Sequence, residues 1–305
     1  MLRLILGRLI GGVFVLFVVA TVSFFLLHAA KGGPFDSDRA VPEAVQRNIE
    51  ERYHLNDPLW KQYVTHMERV ATLDFGHSMK RQKSVKEMIA EHGPKSLRLG
   101  LMAMVFAAIF GTALGVTAAA RRNTWVDYTL MVIALLGISI PSLVLGPMFI
   151  RWFSLGLGWF PPARAEDFSG YVLPALVLGM IYAGTVARLA RAGVLDTLSQ
   201  DYVRTARAKG LTERVVVWKH ALRLGIIPVI TYLGPATAAL ISGSFVVEKI
   251  FQIPGLGFYF VGSVSDRDYP VLTGLLVFYV AFLVLLNLVV DILYGVIDPR
   301  TRGAR

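Results

Sequence analysis

The chain has 305 residues, 55% of them hydrophobic and only 17% charged, with a mean hydropathy of +0.57 and a formal charge of +10. Soluble domains hold about 45–50% apolar and about 25% charged residues, so this composition calls for a lipid solvent and excludes disorder, collagen and disulfide scaffolds. No cysteine is present, which removes disulfides, thiolate nucleophiles and Cys-based metal sites and leaves the compartment open.

Six uncharged runs are long enough for helical spans of roughly 17–25 residues: 9–27, 99–120, 128–150, 171–187, 224–247 and 269–290. Their apolar residues are continuous, whereas barrel strands alternate with period two. The first run comes after Arg3 and Arg8 like a signal peptide. However, it exceeds the usual h-region of about 7–15 residues and exits through His28-Ala29-Ala30-Lys31 without an A-x-A site, so it is expected to stay as a span.

The polar stretch after it reads as small helices. Pro42 opens a run with Val45, Ile49 and Tyr53 at fourfold spacing. Asp57-Pro58 has the form of an N-cap with proline at the first helical position, ahead of a face of Trp60, Tyr63, Val64 and Met67. Ser84 and Glu87 have capping-box spacing. Packing on the span ends and docking of an extracytoplasmic partner both fit these helices.

Prolines recur inside the spans, among them Pro174 and the candidate kink or pathway residues Pro141, Pro147, Pro228 and Pro235. Each removes a backbone hydrogen bond and bends its helix. Such breaks suit a bundle lining a pathway, and they occur in static bundles too.

There is no G-x-x-x-x-G-K-[ST] phosphate loop, no H-E-x-x-H and no G-x-S-x-G elbow. The six histidines have no metal-site spacing, so no catalytic, cofactor or metal site is expected. Ionisable residues are nearly absent from the spans, which disfavours a proton relay. Asp291, near Asp298 and Arg300, is expected to serve structural ion pairing.

A basic excess fits nucleic acid when spread over a soluble surface, and orientation when gathered on one side of a membrane. With the N-terminus inside, the inner face holds 15 basic and five acidic residues, so it carries the whole +10. Both termini are then cytoplasmic and no nucleic-acid partner is expected. Eight of those 15 basic residues lie between Arg188 and Arg223.

That stretch contains a helix–turn–helix. Asp201 can cap the first helix, Gly210 can supply the left-handed residue that ends it, and Thr212 can cap the next. A short helix with Thr205, Ala206 and Ala208 offers a compact knob to another protein, while its basic residues equally fit a helix lying on anionic lipid.

Arg204-Thr205-Ala206, three residues, then Gly210 resembles the E-A-A-x-x-x-G loop of ABC-importer permease subunits, with His220-x-Leu222 where that family often has I-x-L-P. Arg204 replaces the usual Glu and Arg223 the usual proline, and R-T-A-R-A-K-G followed by H-A-L resembles the usual form of the peptide/nickel branch. Tyr53-His54-Leu55-Asn56-Asp57-Pro58, Ile253-Pro254-Gly255-Leu256-Gly257 and Arg267-Asp268-Tyr269-Pro270 resemble the same branch. Gly33-Pro34-Phe35 and the helix with Glu50, Glu51 and Tyr53 are most similar to the oligopeptide permease B type.

The resemblance implies an all-α, six-span type I importer permease with a small helical periplasmic segment, in the bacterial inner membrane. Its parts would be a first span at 1–27, a periplasmic segment at 28–94, a transmembrane domain at 95–294 with a coupling loop at 188–223, and a tail at 295–305. Implied partners are a homologous second permease subunit, two ABC ATPase subunits, a substrate-binding protein and a peptide substrate. ATP and Mg would belong to the ATPases, with no cofactor on this chain and no catalysis by it. Arg204, Thr205, Ala206, Arg207, Ala208, Lys209, Gly210 and Leu211 would form the coupling helix against an ATPase, supported by Asp201, His220 and Leu222. Dipeptide, glutathione or nickel cargo is the alternative within this architecture, and a non-transporting anchor or assembly protein is the alternative outside it.

Overall fold

The computed structural model describes residues 2–29, 56–81, 83–164, 167–241 and 245–297. In chain order its helices are α1 Leu2–Ala29, α2 Leu59–Thr72, α3 Val85–Ala120, α4 Trp125–Ser139, α5 Ser142–Phe149 and α6 Phe168–Leu198. After these come α7 Asp201–Ala208, α8 Glu213–Val215, α9 Leu222–Gly225, α10 Ile227–Ile241, α11 Phe245–Ile250, α12 Leu256–Asp266 and α13 Tyr269–Ile297. Two π-helical stretches, Ile150–Gly156 and Val216–Ala221, extend α5 and α8 at their C-terminal ends. Among the described residues β pairing is confined to one isolated bridge, His77 with Ser84.

Among the described residues four helices are long and apolar enough to cross a bilayer without interruption, and the number reaches six when each of two bent pairs is counted as one span. The expected third span is one of these pairs. Trp125–Ser139 and Ser142–Gly156 meet at 103°, because Ile140 ahead of Pro141 takes an extended conformation (φ −86°, ψ 120°) as residues before proline do. At the start of the expected fifth span, 224–247, Glu213–Gly225 and Ile227–Thr237 meet at 54°, so the first arm of this pair lies almost wholly in the stretch expected to be a loop. Pro228 stands just past that break as the second residue of α10, where its missing N–H costs nothing. Pro147, Pro174 and Pro235 lie inside helices.

Backbone contacts divide the chain into two units, Met1–Ser96 with Pro254–Arg305, and Leu97–Ile253. In the first unit, α1 is almost wholly apolar and leaves Ile10, Val13 and Phe14 exposed, as a lipid-facing helix does. Helix α2 packs on its far end. The Thr21 and Tyr63 hydroxyls lie 2.9 Å apart, and the Phe24 ring meets Tyr63 and His66. Pro58 stands at the N-cap of α2, not one residue later.

The capping box ahead of α3 forms reciprocally: Ser84 N–H donates to Glu87 Oε2 at 3.1 Å and Glu87 N–H to Ser84 Oγ at 3.2 Å. Asp268, almost fully buried, accepts the Ser78 hydroxyl and the Met79 N–H, so it ties the loop before α3 to the start of α13. The expected helix at Val45, Ile49 and Tyr53, the stretch Gly33-Pro34-Phe35 and the acids Glu50 and Glu51 lie outside the described residues. So do Asp298, Arg300 and the side chain of Asp291.

In the second unit α6 is the axis. It buries small residues, including Gly179, Ala183, Gly184, Ala187 and Ala190, which let neighbouring backbones approach closely in the manner of membrane bundles. A Cβ on Gly111 of α3 would stand 2.6 Å from the Ala183 carbonyl oxygen, and one on Gly137 of α4 would stand 2.9 Å from that of Met180. Leu99, Leu145, Leu173, Val177, Phe251 and Ile253 fill the main core beside it.

One ion pair fastens α4 to α6. Arg191 donates from Nε and Nη2 to the two oxygens of Asp127, both at 2.7 Å, and Asp127 also accepts the Asn123 N–H at 3.0 Å. Asp127 is 1% exposed. Both residues read as orientation charges in the sequence, and nothing local joins them across 64 positions.

Candidate functional site

The stretch from α7 to α9 belongs to the second unit and is built in layers. Helix α7 starts after Gln200, whose carbonyl accepts the Val203 and Arg204 amides at 3.1 and 3.3 Å. Asp201 is therefore the first helical residue and not the cap. Its carboxylate faces Arg204 at 3.4 Å, and an acid in the first turn still favours the helix dipole.

The helix ends in a Schellman motif. Gly210 N–H donates to Arg207 O at 2.9 Å and Leu211 N–H to Ala206 O at 3.4 Å, with Gly210 at φ +77°. Thr212 occupies the next N-cap position without a side-chain cap bond.

Beneath α7, Val203 and Ala206 pack with Val216 and Leu198. Ala206 thus faces inward, so its part is to seat the helix while the surface is made by others. Arg204, Thr205, Arg207, Ala208, Lys209, Gly210 and Leu211 are exposed. Arg207 forks onto Glu213 through Nε at 2.7 Å and Nη2 at 3.3 Å, bridging the turn. An exposed pair of this kind contributes at most about 1 kcal/mol, so it fixes geometry more than it stabilises.

Of the residues expected to support the helix, His220 lies in the π-helical stretch Val216–Ala221 and Leu222 directly follows it. Tyr202 donates its hydroxyl to the His220 carbonyl at 3.4 Å. Leu222 packs against Val116, Ala119, Val194, Val217 and Ala221. Sequence reasoning missed this wide turn, since no residue pattern marks a π-helix. Such turns are frequent at functional sites, and here it presents Val216 to α7 and Val217 to the core on successive positions. Tyr202 was missed as well, although its place beside Asp201 on a short capped helix marks it.

The arrangement is a small, separately capped helix on an apolar footing, exposing a polar basic face with no nucleophile or general base organised on it. Among the described residues no group of three His, Asp or Glu side chains could hold a metal. Because Gly210 holds a left-handed φ with open space around its α-carbon, Gly210→Ala is expected to cost about 1 kcal/mol from conformation alone. Hydrogen exchange at the Leu211 amide should then quicken about fivefold, with α6 unchanged.

The prolines named from the sequence do not converge on this surface. Pro141, Pro147, Pro228 and Pro235 are all exposed on the single chain.

The chain is similar to known proteins along nearly its whole length. Residues 111–303 match the model of the binding-protein-dependent transport system inner membrane component family, and residues 1–100 match its N-terminal companion. The dipeptide transport system permease protein DppB of Bacillus subtilis is 45% identical over 93% of both chains. The oligopeptide transport system permease protein OppB of Haemophilus influenzae is 41% identical over 99% of this chain and all of its own. The glutathione transport system permease protein GsiC of Escherichia coli is 42% identical over 99% of both. Among solved structures, an inward-facing form of the MetNI methionine ABC transporter aligns with TM-score 0.58 at 18% identity, over 69% of this chain and 96% of that one. That likeness extends to the fold alone.

Proposed function

The chain belongs to the binding-protein-dependent transport system inner membrane component family, and from that premise we propose that it is one of two homologous permease subunits of an ATP-driven importer, carrying oligopeptides across the bacterial cytoplasmic membrane. The observation that carries the reading is α7: a capped helix, held on Val203 and Ala206, with its outward face open to seat in an ATPase groove. In that role closure of two ATPases on ATP and Mg would push α7, and α7 would pass the movement to α6 through Leu198 and to the core through the π-helical turn. This is a rigid-body change between two states. A substrate-binding protein would deliver cargo at the opposite face, beside the segment 28–94. The transmembrane domain would be 95–294 behind a first span at 1–27, and the tail at 295–305 would share the cytoplasm with the N-terminus.

The exposed prolines agree with this scheme. A pathway between two subunits is lined by surfaces that one chain alone leaves open, and irregular backbone at membrane depth is tolerated where it lines such a cavity. Relatives named for oligopeptide, dipeptide and glutathione transport all handle peptides, which supports a peptide cargo. Asp291, Asp298 and Arg300 would pair at the inner end of α13.

The test is reconstitution with candidate ATPases, second permease and binding protein. Replacing residues 204–211 with a Gly/Ser linker should abolish ATP-dependent oligopeptide uptake while leaving the membrane helices folded; uptake that survives overturns the coupling role. Nickel, dipeptide or glutathione uptake in place of oligopeptide uptake would reassign the cargo.

A further inference from the structure

A cavity of about 100 Å³ opens in the first unit where α1, α2 and the start of α13 come together. Its volume is that of about three water molecules, room for one small ion. Among the described residues that line it none is acidic, whereas His28 of α1 and Arg69 of α2 both carry basic groups.

Arg69 is half-buried, and its guanidinium makes no ion pair or hydrogen bond among the described residues. A cation partly removed from water without a carboxylate calls for a counter-ion. Thr65, four residues earlier on the same face of α2, also lines the cavity, and its hydroxyl has no partner among the described residues. A guanidinium fork beside a hydroxyl donor matches the oxygens of an oxyanion.

A second cation follows from the hydrogen bonds of His28. Its Nδ1 lies 2.8 Å from the Phe24 carbonyl oxygen and its Nε2 lies 3.1 Å from Gln62 Oε1. Gln62 donates its own Nε2 to the Asp57 carbonyl at 2.8 Å, which fixes the amide with its oxygen toward His28. Both ring nitrogens therefore face acceptors, and only the imidazolium, with two N–H groups, satisfies both. The other charged or titratable groups around the ring are His66 and Arg69 of α2, Asp57 with Lys61 at the start of α2, and Tyr269 of α13. Lys61 engages the Asp57 carboxylate at 3.0 Å, and burial pushes the His66 pKa down, so neither supplies the missing negative charge.

We propose that this cavity is a binding site for a small inorganic oxyanion of the phosphate or sulfate class, held by the Arg69 fork and the Thr65 hydroxyl and balanced by the protonated ring of His28. The bound anion joins α1, α2 and the start of α13, since each contributes to the lining. An anion beside the ring favours its charged form, so by linkage binding is tighter where the ring is protonated and weakens as pH rises. This site does not depend on the coupling role of α7.

The test uses the full chain, delipidated in mild detergent, with thermal melting and calorimetric titration of sulfate, whose charge is constant across the range in which histidine titrates. Sulfate should stabilise the protein saturably, and gluconate, too large for the cavity, should not do so at equal ionic strength. Arg69→Gln should weaken sulfate binding about tenfold, as expected for loss of a charged hydrogen bond. Arg81→Gln, outside the cavity, should match the unmodified chain. The affinity of the unmodified chain should fall several-fold between about pH 5.5 and about pH 8, and His28→Gln should bind more weakly without that dependence. Unchanged binding in Arg69→Gln overturns the proposal, as does equal stabilisation by gluconate, or stabilisation by a short-chain phosphatidic acid and not by sulfate. An affinity of the unmodified chain that is flat with pH overturns the part given to His28. If Arg69→Gln fails to fold, sulfate against gluconate on the unmodified chain decides alone.

Discussion

Asp127→Ala is expected to destabilise the protein by about 3 kcal/mol, the lower end of the cost of breaking a buried ion pair. The carboxylate accepts two hydrogen bonds from Arg191 and one from Asn123, and it sits in the first turn of α4, where a negative charge complements the helix dipole. Its removal leaves a guanidinium whose side chain is 29% exposed, so water compensates only in part. The measurement is thermal melting in detergent, together with the fraction recovered as monodisperse protein. Replacing both partners, Asp127→Leu with Arg191→Met, should return stability to within about 1 kcal/mol of wild type, because paired apolar replacements of buried ion pairs are near neutral. A double variant no better than Asp127→Ala would mean that the pair is not the coupled unit. By contrast, removing the exposed Arg204–Asp201 pair should change stability by less than about 0.5 kcal/mol.

Gly184→Ala is the second large effect. A single methyl there would overlap the Ala134 carbonyl oxygen and come within 2.6 Å of Ile138 Cγ1. Backbone cannot swing aside as a long side chain does, so α4 and α6 must move apart, at a cost of about 3 kcal/mol. The same substitution at Gly93 has the opposite sign. There the added carbon meets only Leu256 Cδ1 at 3.7 Å, an ordinary contact, and the better helix propensity of alanine should stabilise by up to about 1 kcal/mol. Melting curves of the two variants, run side by side, separate close packing from a general intolerance of alanine. If both variants melt together, the contact at Gly184 does not set the helix spacing.

The candidate site was legible in proportion to how local its causes are. Gly210 ends α7 as expected because the Schellman bonds reach only from Leu211 to Ala206, and the capping box at Ser84 and Glu87 closes within a single helical turn. Asp201 was displaced from cap to first helical residue because Gln200 supplies the cap through its carbonyl, a role any residue type can play. Ala206 could not be told from its neighbours until Val216 was brought beneath it. The prolines marked where helices could bend but not which would: Pro141 accompanies a turn of 103°, whereas Pro174 lies within an uninterrupted α6.

What the sequence determined by itself was the apolar segments, their helical character, the Gly210 C-cap of α7 and the capping box ahead of α3. Those arise from hydrophobicity counted along the chain and from hydrogen bonds closed within a few residues. The tertiary structure decided which charges and glycines matter. Asp127 and Arg191 become one ion pair, Gly184 becomes the point where α4 meets α6, and His66 is left with a buried ring nitrogen that has no hydrogen-bond partner among the described residues. The physical reason is that each depends on a partner from another helix, and helix rotation, which no single segment encodes, determines which side chains meet.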